Sequence, residues 1–163
     1  MNWYAIHTRS NCEKRVSSIL TETGIENYLP SFREVHQWKD RKQVVDVPVF
    51  PGYLFLRFED SRTARLMIAR TDGVVRILGP GEKIEAIPDE QIEAIRTLIK
   101  SELPCSSHPF LKIGQRVRVR SGSLDGLEGV LLSRNGDNTL VISVDAIQRS
   151  LSVRVNGYEI EAV

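Results

Sequence analysis

Three histidines, two cysteines and a few paired carboxylates are the residues of this chain that could do acid–base, nucleophilic or metal chemistry. His7, His36 and His108 lie in three different segments and share no motif. Asp89-Glu90 stands at the start of a helical run, where negative charge complements the helix dipole without any further role. Cys12 and Cys105 make no CxxC pair, which excludes a zinc finger and argues against a disulfide scaffold. Gly79-Pro80-Gly81 lacks the third glycine of a dinucleotide-binding turn and does not open a helix directly after a strand. Around Ser121 and Ser123 there is no GxSxG elbow, and no GxxxxGK[ST] loop occurs. The sequence therefore predicts a protein that is not an enzyme and uses neither metal nor cofactor. Its chemistry is recognition.

Two features carry recognition. The stretch VPVFPGYLFLRF, residues 47–58, alternates Tyr53, Phe55 and Arg57 against Leu54, Leu56 and Phe58. A half-buried strand has one polar side, yet both sides here are largely apolar. Phe50-Pro51-Gly52 adds an aromatic ring where proline and glycine interrupt pairing. The second feature is charge. The chain of 163 residues has a net charge of only +1, so any electrostatic footprint is local. Arg62, Arg65, Arg70 and Arg76 fall close together with only Asp72 opposing them, and Arg9, Lys14 and Arg15 surround a helix start.

The elements that position these residues follow from periodicity and turn chemistry. Asn2 to Thr8 alternates as a strand, and Ser10-Asn11-Cys12-Glu13 has the form of a capping box before a helix that Gly24 ends. Strands follow at 26–34, 35–38 and 43–50, with Asp40-Arg41 near a hairpin tip. Asp60 or Ser61 caps a short helix with Ala64, Met67 and Ile68 inward; residues 74–78 form a strand. Pro88-Asp89 opens a third helix carrying Ile92, Ile95 and Ile99. LPCSSHPF, residues 103–110, has no periodicity and reads as a linker. Five short β-rich runs follow, which suggest a small barrel. The organisation is thus α+β: an antiparallel sheet with three helices over 1–102, a linker over 103–110, and a five-stranded barrel over 111–163. With 41% apolar and 26% charged residues, no apolar run of bilayer length and no secretory leader, the chain reads as a soluble cytoplasmic monomer.

Gly114, Val117, Val119, Gly122, Gly126 and Gly129 have the spacing of a KOW motif, and that segment resembles the SH3-like barrels that carry it. Trp3-Tyr4, Glu13-Lys14-Arg15, Val49-Phe50-Pro51-Gly52-Tyr53-Leu54-Phe55 and Gly73-Val74-Val75-Arg76 occur in an order similar to the N-terminal domain of the NusG family of bacterial transcription elongation factors. The resemblance spans essentially the whole chain. It implies a first, NGN-like domain that docks on the clamp of the largest subunit of RNA polymerase through His7, Phe50, Pro51 and Tyr53. It also implies that Arg9, Arg15, Arg62 and Arg70 face upstream or non-template DNA. A KOW barrel would contact a second partner, a small-subunit ribosomal protein or a termination factor, near Ile147. The compact hairpin HQWKDRKQVVD and the stretch IENYLP look more like the specialised UpxY and RfaH type of antiterminator than like general NusG. A ribosome-associated KOW protein would explain the barrel but not the first domain, and such proteins are usually far more basic.

Overall fold

The computed structural model describes residues 1–163, and its packing divides the chain into two units, Met1–Ala86 and Ile87–Val163. The first unit contains β1 (Asn2–Thr8), α1 (Glu13–Glu22), β2 (Glu26–Tyr28), β3 (Ser31–Trp38), β4 (Arg41–Pro48), β5 (Tyr53–Phe58), α2 (Arg62–Ala69) and β6 (Val74–Ile77). Its main sheet is antiparallel in the order β2-β5-β1-β6, while β3 and β4 form a separate two-stranded ribbon. The expected strand over 26–34 is broken by Pro30, which lacks the N–H a continuous ladder needs.

Opposite registers sort the two faces of the main sheet. Tyr4 and Ile6 of β1 share one face with Leu54, Leu56 and Phe58 of β5, and Val16, Leu20 and Ile68 from α1 and α2 complete that core. The other face carries Trp3, Ala5 and Phe55, also buried, and ends in the facing pair His7 and Tyr53. Both apolar sides of 53–58 are therefore largely consumed within the chain. Met67, expected inward, is 42% exposed, because the eight-residue α2 presents only the Ala64–Ile68 edge to the core. Ser61 caps α2 as expected, accepting a hydrogen bond from the Ala64 N–H at 3.0 Å.

The capping box does not form. Helix α1 starts at Glu13 without a side-chain cap, and the Glu13 carboxylate turns away from its own helix into a buried position. There Oε1 accepts a hydrogen bond from the Gly52 N–H at 3.2 Å, while the Gly52 carbonyl accepts one from the Thr8 N–H at 2.8 Å. Gly52 has φ +86°, the left-handed region that L side chains rarely adopt.

The second unit holds α3 (Asp89–Lys100), β7 (Cys105–His108), β8 (Gln115–Val119), β9 (Glu128–Arg134), β10 (Asp137–Val144), β11 (Arg149–Arg154) and β12 (Ile160–Ala162). Its sheet has six strands, in the order β12-β8-β9-β10-β11-β7, not five. The extra strand comes from the expected linker, where Cys105 to His108 pair with Val153 to Ser150. As an edge strand it buries little, so no apolar period marks it in the sequence. Helix α3 belongs with this unit, packed against β10 and the 3-10 turn Gly122–Leu124, whereas the sequence places the end of the first domain at residue 102. Its buried stripe is Ile92, Ile95 and Leu98, with Ile99 one step off the face.

Two substitutions test these constraints. A Cβ on Gly129 would sit 2.5 Å from the Val141 carbonyl oxygen, a rigid neighbour across the β9–β10 ladder. Gly129→Ala is expected to destabilise the second unit by roughly 1–3 kcal/mol, read as a lower urea midpoint. In the first unit, Glu13→Ala leaves the Gly52 N–H without its partner and is expected to cost about 1–3 kcal/mol. A urea midpoint unchanged from the parent protein would show that the link contributes nothing.

Candidate functional site

The expected recognition residues of the first unit gather where β1 ends and β5 begins. His7 and Tyr53 are cross-strand partners with ring centroids 5.4 Å apart, tilted by 32°. The His7 ring also lies 3.5 Å from where a Cβ on Gly52 would stand, so the turn is packed against the imidazole. Pro51 is exposed at the apex, and His7 and Tyr53 are half-buried. This makes a small rim of two rings and a proline, braced underneath by Glu13 through Gly52.

Phe50 is different. It is only 5% exposed and packs edge-on against the buried Phe55, with centroids 6.2 Å apart. The expectation of an exposed anchor at Phe50 is corrected on that ground. A fully exposed ring beside the Pro51-Gly52 turn would leave the Phe55 edge unfilled, so the turn instead folds the ring inward. Phe50 supports the rim rather than belonging to it.

The basic residues do not form one continuous path. Arg9 is exposed and its N–H donates to the Gly73 carbonyl at 2.8 Å, which puts it beside the turn 71–74. Arg15 reaches the same turn, where it pairs with Asp72 at 3.2 Å and approaches the Cys12 sulfur at 3.6 Å. Arg70 is the exposed cap residue at the C-terminal end of α2, close in sequence to that turn. Arg62 begins α2, about 12 Å away at 1.5 Å per residue. Arg65 is already engaged, donating to both carboxylate oxygens of Asp60 at 2.5 and 2.6 Å. That hydrogen-bonded guanidinium holds the Asp60 carboxyl below the ordinary carboxylate range. Arg9 and Arg15 thus meet at one turn, Arg70 directly precedes it along the chain, and Arg62 stands apart.

In the second unit Val117 and Val119 are core residues, and Gly122, Gly126 and Gly129 lie in the connection that joins β8 to β9 and in the start of β9. Gly114 immediately precedes β8, with a position that a Cβ could fill only by displacing Val130. These residues build the sheet rather than a site. Ile147 is 4% exposed, since the 3-10 turn Asp145–Ile147 directs it inward. Its expected role as a contact is therefore not available to its own side chain; Gln148, exposed and in the left-handed region with φ +51°, presents the turn to solvent.

A cleft of about 440 Å³ lies inside the second unit, between α3 and the sheet. Gln91 and Asp145 meet along it, where the Gln91 Oε1 accepts the Asp145 N–H at 3.4 Å, and Lys112 pairs with Asp145 at 2.5 Å. Nowhere are three or more His, Cys, Asp or Glu side chains gathered to hold a metal ion. No helix is long and apolar enough to cross a membrane. Sequence reasoning missed Glu13 as the brace, reading it as a cap. Its sequence signal, a carboxylate at a helix start, is common to both roles.

The family model described as "Transcription termination factor nusG" matches residues 1–96. The Thermus thermophilus protein named "Transcription termination/antitermination protein NusG" is 29% identical over 154 residues, spanning 83% of each chain. The Staphylococcus aureus protein of the same name is 29% identical over 174 residues, spanning 98% of this chain and 94% of the relative. A solved structure of Thermotoga maritima NusG, 20% identical, superposes with a TM-score of 0.54 over 99% of this chain and 97% of that one, a likeness of fold. The chain belongs to the NusG family of transcription termination/antitermination proteins.

Proposed function

We propose that the first unit docks on the clamp of RNA polymerase through the rim of His7, Pro51 and Tyr53, promotes processive elongation and suppresses termination. The observation that carries the reading is the paired His7 and Tyr53 rings, held at the surface by a turn whose glycine is fixed on both sides. Rings with restricted rotamers lose little entropy on docking, and each can bury apolar area while offering a polar tip. Arg9, Arg15 and Arg70 then face upstream or non-template DNA. The second unit is a KOW-type barrel that recruits a termination factor or a small-subunit ribosomal protein by the surface around Gln148. No cofactor enters this mechanism, and no catalytic step.

Within the family, the compact hairpin supports a specialised antiterminator of the UpxY or RfaH type. Only Lys39 and Asp40 separate β3 from β4, leaving no room for a longer insertion. General NusG, coupling polymerase to a termination factor or the ribosome, is the second reading. It is favoured by the near end-to-end coverage of the curated relatives.

His7→Ala with Tyr53→Ala is expected to weaken capture of core RNA polymerase by at least tenfold, with the fold retained by circular dichroism. Phe50→Ala is expected to lower stability by about 3–5 kcal/mol as a core truncation. Wild-type capture by the double variant would place docking elsewhere. Antitermination on a leader template, compared with termination enhancement, separates the two family readings.

The basic residues have their own test. Replacing Arg9 and Arg70 with Ala is expected to lower the salt slope of binding to exposed single-stranded DNA by roughly 0.7 for each phosphate no longer neutralised. Asp72→Asn is expected to tighten that binding, because it releases Arg15 from its ion pair. An unchanged slope would make these arginines ordinary surface charge.

A further inference from the structure

The outer part of the β3–β4 ribbon packs on nothing. Every residue from Arg33 to Val44 is exposed, on both faces of the ribbon. A two-stranded ribbon is at best marginally stable alone, and side chains there gain no stability from burial. Yet it displays Val35, Trp38 and Val44 with 64%, 59% and 62% of their surface in solvent. Val35 faces Val44 across the strands, which accounts for those two as a cross-strand pair. Trp38 has no apolar partner. It faces Arg41, beside the two-residue turn Lys39-Asp40, and Lys42 follows on the other face.

We propose that this tip is a single-strand nucleic-acid contact in which an unpaired base stacks on Trp38 while Lys39, Arg41 and Lys42 engage the adjoining phosphates. The charge argues for this occupant. Three cations and one carboxylate, Asp40, stand within 38–42, and none of the three cations is engaged in an ion pair. The neighbouring Glu34 is in contact with His36 at 3.1 Å, set back along β3 from the tip. An exposed indole beside unpaired cations at the end of a narrow ribbon combines stacking with phosphate contact, the arrangement that takes unpaired strands with little sequence preference. A protein partner would gain from the indole but would leave three cations to be matched. A duplex would use the cations and offer no exposed base face. This site is separate from Arg9, Arg15 and Arg70, and it does not depend on polymerase docking.

The test uses the full chain and a twelve-nucleotide single-stranded DNA of mixed sequence. Trp3 is 5% exposed and Trp38 59%, so quenching of tryptophan emission by the oligonucleotide reports on Trp38. Saturable quenching is expected, with a label-anisotropy Kd raised about 5- to 150-fold by Trp38→Ala and far less by Trp38→Phe. Arg41→Ala with Lys42→Ala is expected to lower the salt slope by roughly 0.7 for each phosphate no longer engaged. Trp38 is exposed, so its variants should melt like the parent, and Trp38→Phe gives a second measurement if Trp38→Ala does not. Several outcomes would overturn the proposal: no binding, binding without quenching, or binding abolished with Arg9 and Arg70 but kept by Trp38→Ala. Loss of core-polymerase capture in Trp38→Ala, with oligonucleotide affinity unchanged, would make the tip a protein-docking element instead.

Discussion

The first unit depends on Gly52. Its N–H is held by the Glu13 carboxylate and its carbonyl by the Thr8 N–H, so one residue joins the end of β1, the start of α1 and the approach to β5. Glu13 and Gly52 are 39 residues apart, so this bond ties the helix start to a turn far along the chain. Burial raises the cost of leaving either group unpaired. Only glycine satisfies this position easily, since φ is +86°. The His7–Tyr53 rim exists because that turn is fixed; without it the β1–β5 ladder would fray at its end, and the two rings with it.

Much of this was legible in the sequence. The strand at 2–8, the helix that Gly24 ends, the Ser61 cap and the buried alternation of 53–58 follow from patterns local to each segment. So do the glycines that close the second unit's turns. What was not legible depends on neighbours far along the chain. Glu13 matches a capping box locally, but a more distant donor, Gly52, takes its carboxylate. Cys105 to His108 has linker composition, and it is a strand only because β11 offers a free edge. Phe50 and Ile147 look like surface anchors next to a break and a turn, and both are turned into the interior. In each case a short-range signal admits two states, and tertiary packing chooses.

Burial also limits where a partner can bind. Both faces of the first unit's main sheet are buried within the chain: Leu54, Leu56 and Phe58 on one side, Trp3, Ala5 and Phe55 on the other. A protein built this way has no open sheet face to give to a partner. What remains is the margin of the sheet, the turn around Asp72, and the ribbon that leaves the sheet altogether. All the exposed rings and most of the uncommitted cations of the unit lie on those features. Recognition is therefore separated from the core, and substitutions there can change partners without loss of fold.

The same separation explains a net charge so near neutral in a protein proposed to meet nucleic acid. A uniformly basic surface would bind any phosphate backbone and compete with specific assembly. Here Asp60 occupies Arg65 and Asp72 occupies Arg15, so acidic partners silence some cations and leave others available. Such pairs are exposed and contribute little to stability. Their effect is to set how many phosphates a strand can bring to the protein, and with it the salt dependence of binding. Attraction that is local and limited to a few phosphates suits a factor whose hold on a moving complex comes from protein docking, with nucleic acid adding position rather than grip.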